Sequence, residues 1–157
     1  MKRYLFESKP LSVLVIWDRG KAQGILINPG DDSVMDEAVP SEVERFFAEL
    51  RDYLAGKATG FSLPVNWDRL SPFAKKVSRE LARTLCGEVI SYAELARRIG
   101  NPKAARAVGR VMARNPFPLV VPCHRVIGSN GSLTGFGGGL KLKARLLALE
   151  RKIAASS

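Results

Sequence analysis

Three short β-prone runs open the chain, and the turn signals between them decide how it folds. Arg3-Tyr4-Leu5-Phe6-Glu7, residues 11–17 and residues 22–27 are separated only by Lys9-Pro10 and Asp18-Arg19-Gly20. Short strands joined by tight turn signals form an antiparallel meander, so three neighbouring strands are expected. An acidic Gly/Asp loop around residues 30–36 comes next, and Ser41 and Glu44 then have the spacing of a capping box that opens a helix. Val43, Phe46, Phe47, Leu50 and Leu54 share one face of that helix and Gly56 stops it, so it is expected to cover one face of the sheet. The carboxylates of this part fall on solvated loop and helix positions and form no catalytic constellation.

Beyond residues 58–68, a loop, the period of the pattern changes to that of helices. Ser71-Pro72 places a cap before a proline at the first helical position, and Phe73, Val77, Leu81 and Leu85 recur every fourth residue until Gly87. Cys86, at the end of this stripe, reads as a buried, inert thiol. Ser91-Tyr92-Ala93-Glu94 is a second capping box, opening a short helix through Leu95 and Ile99 that Gly100 ends, and Asn101-Pro102 opens another at once. Two capped helices joined by a tight turn outline a helix-turn-helix. The expected fold class is α+β: a sheet-and-helix scaffold over residues 1–68, linker included, and a mostly helical domain over residues 69–157.

Charge separates the same two parts. The whole chain carries 25 Lys+Arg against 15 Asp+Glu, net +10, but residues 1–68 hold eight bases and eleven acids while residues 69–157 hold seventeen and four. A +13 segment argues for a polyanionic partner, nucleic acid first. Within it, Lys103, Arg106, Arg110 and Arg114 fall on one helical stripe about 80° wide, with Ala104, Val108, Val111 and Met112 opposite. No acid interrupts residues 103–114, and Ala107, Gly109 and Ala113 are small enough for close approach. A helix is ~10–12 Å across and a B-form minor groove ~6 Å wide, so entry there requires small residues and a widened groove. Two cysteines and one histidine are too few ligands for a zinc site, so no metal is expected, and no cofactor. No apolar run approaches the ~20 residues that span a bilayer, and the basic start has no apolar core behind it. The expectation is a soluble, cytoplasmic protein that has no membrane partner and is a monomer by default.

The chemistry concentrates near residue 123. Residues 119–127 are an apolar, β-like run interrupted by Pro122-Cys123-His124-Arg125, and a proline in a strand pattern marks an edge or a turn. A free thiol with pKa ~8.5 is a few per cent thiolate at neutral pH, so a nucleophilic Cys123 needs a base or positive charge close by. The one histidine, His124, is adjacent. Neighbours in an extended strand point to opposite faces, so direct contact needs a turn, or else a water between them. In the last helix Leu142, Leu146, Leu149 and Ile153 form the buried stripe and Glu150 lies within its arc, where a carboxylate needs a partner and could orient a histidine. Between these, residues 131–139 contain five glycines and Phe136, a loop suited to closing over a ligand.

Gly87-Glu88-Val89-Ile90-Ser91-Tyr92, Asn101-Pro102-Lys103-Ala104-Ala105-Arg106-Ala107-Val108-Gly109, Asn115-Pro116 and Pro122-Cys123-His124-Arg125-Val126, in this order, resemble the methylated-DNA-protein-cysteine methyltransferases, or alkylguanine-DNA alkyltransferases. The motifs span roughly residues 70–151; the first 65 residues match only in outline the family's variable, RNase H-like N-terminal domain. The resemblance implies repair of double-stranded DNA containing alkylated guanine. One alkyl group would pass irreversibly from the 6-oxygen of guanine, less readily from the 4-oxygen of thymine, to Cys123. It implies that His124 activates the thiol through a water, that Glu150 orients His124, that Asn115 braces the turn and that Tyr92 hydrogen-bonds the guanine ring. Arg106 would fill the stack after the base is flipped out, with Lys103, Ala105, Arg110, Arg114 and Arg125 also at the DNA. Val126, Phe136, Gly137 and Gly138 would line the base pocket. Phe136 stands where the family usually has tyrosine and Gly137 where serine is commoner, so a pocket hydroxyl is lost. Zinc binds the N-terminal domain of some members, but this chain lacks the residues. Two other readings stand beside repair. A regulatory or lesion-sensing DNA-binding protein would lack the acceptor cysteine, and a cysteine hydrolase would turn over an ester or amide without DNA.

Overall fold

Strands β1 (Lys2–Ser8), β2 (Leu11–Asp18) and β3 (Lys21–Ile27) form an antiparallel sheet in that order in the computed structural model, which describes residues 1–30, 38–57 and 60–156. Most of the acidic loop expected near residues 30–36 therefore lies outside the described residues. The β2–β3 hairpin turns on Arg19 and Gly20, both with positive φ, as a two-residue turn between twisted strands demands. Tyr4 pairs with Val15 and Phe6 with Val13, and all four are buried while Arg3 and Glu7 face out. Helix α1 (Ser41–Leu54) covers that apolar face, with the Phe47 ring 5.6 Å from that of Phe6. The expected capping box is not made. Pro40 takes the cap position, so Ser41 is already helical and its hydroxyl donates to Glu42 instead. Tyr53, and not Leu54, completes the buried face.

The chain divides into two compact units, Met1–Arg69 with Pro116–Val120, and Leu70–Asn115 with Val121–Ser157. In the first, the segment Pro116–Val120 returns to the sheet, where the Pro116 carbonyl accepts from the Ile25 amide at 2.8 Å.

In the second unit, Ser71 caps α2 (Pro72–Leu81) by accepting from the Ala74 amide. The helix stops before the expected Leu85. The Thr84 hydroxyl donates to the Leu81 carbonyl and the Glu88 carboxylate accepts from the Leu85 amide, so side chains satisfy the backbone that a further turn would use. Leu85 is consequently 69% exposed and Cys86 only half-buried, which corrects the reading of Cys86 as a core thiol. Gly87, at φ +92°, comes so close to the last helix that a Cβ there would lie 2.5 Å from that of Ala154. Strand β4 (Ile90–Ser91) then pairs in parallel with β5 (Val126–Ile127). Ser91 also caps α3 (Tyr92–Arg98), but Glu94 turns outward to Arg97 and Arg98, leaving the box half made. Helix α4 (Ala105–Ala113) starts three residues later than Asn101-Pro102 suggested, because the Ala104 amide bonds back to Asn101 in a turn. Lys103 therefore lies before the helix. Helix α5 (Leu140–Ala155) buries Leu142, Leu146, Leu147 and Ile153 together with Lys143 and Glu150, while Leu149 is partly exposed. Among the described residues no helix is long and apolar enough to cross a membrane.

Candidate active site

The proline-interrupted run folds as a single 3-10 turn, Cys123–Arg125, between Pro122 and β5. Backbone bonds from the Cys123 amide to Val121 and from the Arg125 amide to Pro122 fix it. All three side chains are buried. Asn115 donates to the Val121 carbonyl at 2.9 Å, tying the end of α4 to the residues just before the turn, and its amide also faces the Cys123 thiol.

Behind the thiol lies a closed polar cluster. The His124 Nε2 is 2.5 Å from Glu150 Oε2, and Arg125 Nε donates to the other carboxylate oxygen at 2.7 Å. Arg125 also donates to the Thr84 carbonyl at 2.7 Å and its hydroxyl at 3.1 Å, with its remaining nitrogen 3.7 Å from the Cys86 sulfur. Burial alone would favour the neutral Glu150, but the hydrogen bonds from His124 and Arg125 and the charge of Arg125 outweigh it and hold the carboxyl at about 2. Burial pushes the His124 imidazole below its ordinary value despite Glu150, so the ring rests neutral. A carboxylate accepts and does not donate, which places the single imidazole proton on Nε2 and leaves Nδ1 with its lone pair. Nδ1 is fully buried and has no hydrogen-bond partner among the described residues. The arrangement thus leaves one basic ring nitrogen, on the residue that follows Cys123, without a proton or a hydrogen-bond partner among the described residues.

The thiol itself is held protonated. Burial raises the Cys123 pKa, while the Asn115 hydrogen bond, the charge of Lys143 and the amides of the turn pull the other way. Lys143 is fully buried, donates to the Val126 carbonyl at 2.6 Å and the Thr134 carbonyl at 2.8 Å, and has its own pKa lowered by burial. Among the described residues no cluster of three or more His, Cys, Asp or Glu could hold a metal ion.

The cationic residues expected at DNA are mostly on the surface. Arg106, Arg110 and Arg114 are exposed along α4 and beyond its end, with Val108 and Met112 buried opposite; Lys103 is exposed in the preceding turn and Ala105 half-buried. Gly109 is half-buried, with its missing Cβ 3.8 Å from the Tyr92 ring, so it also serves the α3–α4 contact. Arg125 is a correction: expected at the DNA, it is buried, and its donors are directed at Glu150, Thr84 and Cys86. Phe136 sets its ring edge-on to His124 at 6.3 Å, Gly137 is exposed and Gly138 half-buried, and Val126 is fully buried. Tyr92 places its hydroxyl 2.5 Å from that of Thr134. Thr84, Thr134 and Lys143 were missed in the sequence. Lys143 could have been found, because it precedes Leu147 by four residues and Glu150 by seven and so shares their buried arc; Thr84 and Thr134 sit in irregular segments with no such signal.

The profile described as "6-O-methylguanine DNA methyltransferase, DNA binding domain" matches residues 72–152. An inducible methylated-DNA–protein-cysteine methyltransferase of Bacillus subtilis is 38% identical over 146 residues, covering 93% of this chain and 76% of that protein. A methylated-DNA–protein-cysteine methyltransferase of Mycolicibacterium paratuberculosis is 51% identical over 104 residues, 66% of this chain; the match spans 62% of that relative's length. Among solved structures, Mycobacterium tuberculosis OGT in complex with DNA superposes with a TM-score of 0.84 at 32% identity, over 98% of this chain and 94% of that one.

Proposed function

The chain belongs to the family of methylated-DNA–protein-cysteine methyltransferases, and on that premise we propose that it repairs alkylated DNA by moving the alkyl group onto its own Cys123. The observation that carries this reading is the buried turn in which Cys123 precedes a histidine whose Nε2 is fixed by Glu150 at 2.5 Å. Nδ1 is the base that remains. It takes the thiol proton through a water, and the freed thiolate attacks the alkyl carbon in line with its bond to the 6-oxygen of guanine. The carbon–sulfur bond forms as the carbon–oxygen bond breaks. The electron pair leaves with the guanine, which recovers a proton, so the net change is thiol and O-alkylguanine to thioether and guanine. A thioether has no good leaving group, so each molecule acts once.

Residues 69–157 carry the DNA-binding and acceptor functions and residues 1–68 serve as scaffold, the protein working as a monomer wherever it meets genomic DNA, in the cytoplasm or at the nucleoid. The α3–α4 pair binds a widened minor groove, with Arg110, Arg114 and Lys103 toward phosphates. The alkylated base is flipped out, since its reacting atom is unreachable inside the stack. Arg106 takes the place it leaves. Tyr92 donates to the guanine ring, Asn115 braces the turn, and Phe136, Gly137, Gly138 and Val126 surround the base.

The direct test is mass spectrometry after incubation with a duplex containing O6-methylguanine. One methyl group on the peptide bearing Cys123 is expected, and an unmodified thiol with the lesion intact overturns the reading. A second expectation concerns α4. Arg106→Ala should slow repair of duplex more than it weakens duplex binding, and binding of the parent should fall steeply with salt, because releasing counterions gains less as the salt concentration rises. Equal losses of repair and binding, measured by single-turnover kinetics beside gel shifts, would argue against the role given to Arg106.

A further inference from the structure

We propose that Thr134 is a positioning residue for the transfer, holding the Tyr92 hydroxyl by a hydrogen bond so that the phenol's one proton is kept for the departing guanine. This role rests on the one proposed for Tyr92 as a donor to the guanine ring. Tyr92 opens α3 and Thr134 lies in the glycine-rich loop before α5, forty-two residues apart, yet their hydroxyl oxygens are 2.5 Å from each other.

Neither side of that contact is loose. The Tyr92 ring is seated beside Gly109 of α4, within 3.8 Å of where a Cβ would stand. Thr134 is held through its backbone as well, since its carbonyl accepts from Lys143 at 2.8 Å while the same ammonium binds Val126 at 2.6 Å. Lys143 is fully buried in α5, so one ammonium fixes both the residue after the reacting turn and the loop residue that meets Tyr92. Glycines surround Thr134 on the chain, and this clamp, not local chain stiffness, sets its place.

The chemistry comes down to counting protons. A phenol has one O–H and two lone pairs, and a threonine hydroxyl has one O–H. When Tyr92 donates to the guanine ring its proton is committed, so Thr134 must be the donor in the pair. Donation into the phenolic oxygen also stabilises the negative charge that builds there as Tyr92 gives its proton up, which strengthens Tyr92 as a donor. Valine in place of Thr134 keeps the shape and removes that donation.

The experiment measures the second-order rate of methyl transfer from an O6-methylguanine duplex for the parent, Thr134→Val, Thr134→Ala, Thr134→Ser, Tyr92→Phe and the Tyr92→Phe/Thr134→Val double variant, each checked for folding by thermal melting. Thr134→Val and Thr134→Ala should each slow transfer roughly tenfold, the scale of one net hydrogen bond, with duplex affinity unchanged. Thr134→Ser should restore the parent rate. In the Tyr92→Phe background Thr134→Val should change nothing further, because the hydroxyl it acts through is gone. A parent-like rate in either single variant, or an equal slowing with and without the Tyr92 hydroxyl, overturns the inference. A parent that takes up no methyl group overturns the functional reading instead, so the two failures are distinguishable.

Discussion

Replacing Cys123 with alanine is expected to abolish alkyl uptake while leaving duplex binding in place. The reaction needs a nucleophilic sulfur at this point, and the substitution removes it with one heavy atom. The turn survives, because it is fixed by the backbone bonds from Cys123 to Val121 and from Arg125 to Pro122 and by the Asn115 side chain on Val121. Cys86 cannot stand in. Burial raises its thiol pKa and the negative charge of Glu150 raises it further, outweighing the opposite pull of the Arg125 guanidinium that its sulfur faces. The exposed Arg106, Arg110 and Arg114 are untouched, so gel-shift affinity should match the parent. An alkyl group recovered on any other residue, or continued loss of the lesion, would show that Cys123 is not the acceptor.

Glu150→Gln should cost stability and activity together. The carboxylate is fully buried and holds two partners, His124 and the permanently charged Arg125. Removing one member of such a cluster leaves a buried charge uncompensated, and losses of about 3–5 kcal/mol are typical. The neutral amide offers one acceptor oxygen and one NH2 donor in place of two acceptor oxygens, so Arg125 loses its counter-charge and either it or His124 faces a donor. Either way alkyl transfer should slow markedly. The acid limb sharpens the test. The folded-state pKa of Glu150 lies at about 2 against an ordinary 4.5, so its contribution is complete above pH 4.5 and disappears as pH falls toward 2. Urea unfolding at neutral pH and again near pH 3 should therefore show the parent losing stability between the two and the Gln variant losing less. A variant as stable as the parent at neutral pH would contradict the role given to the carboxylate.

Much of this was legible in the residues themselves. Short β-prone runs separated by Lys9-Pro10 and Asp18-Arg19-Gly20 announced the meander, and a cationic stripe without acids marked Arg106, Arg110 and Arg114 as one exposed face. The His124–Glu150 link could be suspected because a carboxylate on the apolar arc of a helix must meet a partner. What could not be read was tertiary. Leu85 continues the helical spacing of α2, but Thr84 and Glu88 close the backbone early. Arg125 lies in a basic segment, and nothing local says that it turns inward to Glu150. No pattern reveals that residues 116–120 cluster with the first unit, or that the isolated Thr134 ends at Tyr92. Periodicity reports which face of an element is apolar; it carries no information on which distant groups meet across it.

The two-residue ladder between β4 and β5 has a mechanical meaning. Ser91 pairs with Ile127 and at the same time caps α3, while Val126 comes directly after the turn that bears Cys123. Grip and blade are therefore forged as one piece, with no free linker between them. On the proposed function, the duplex held by the helices has to yield toward that blade, and the softness of the DNA around a lesion becomes part of the machinery that removes it.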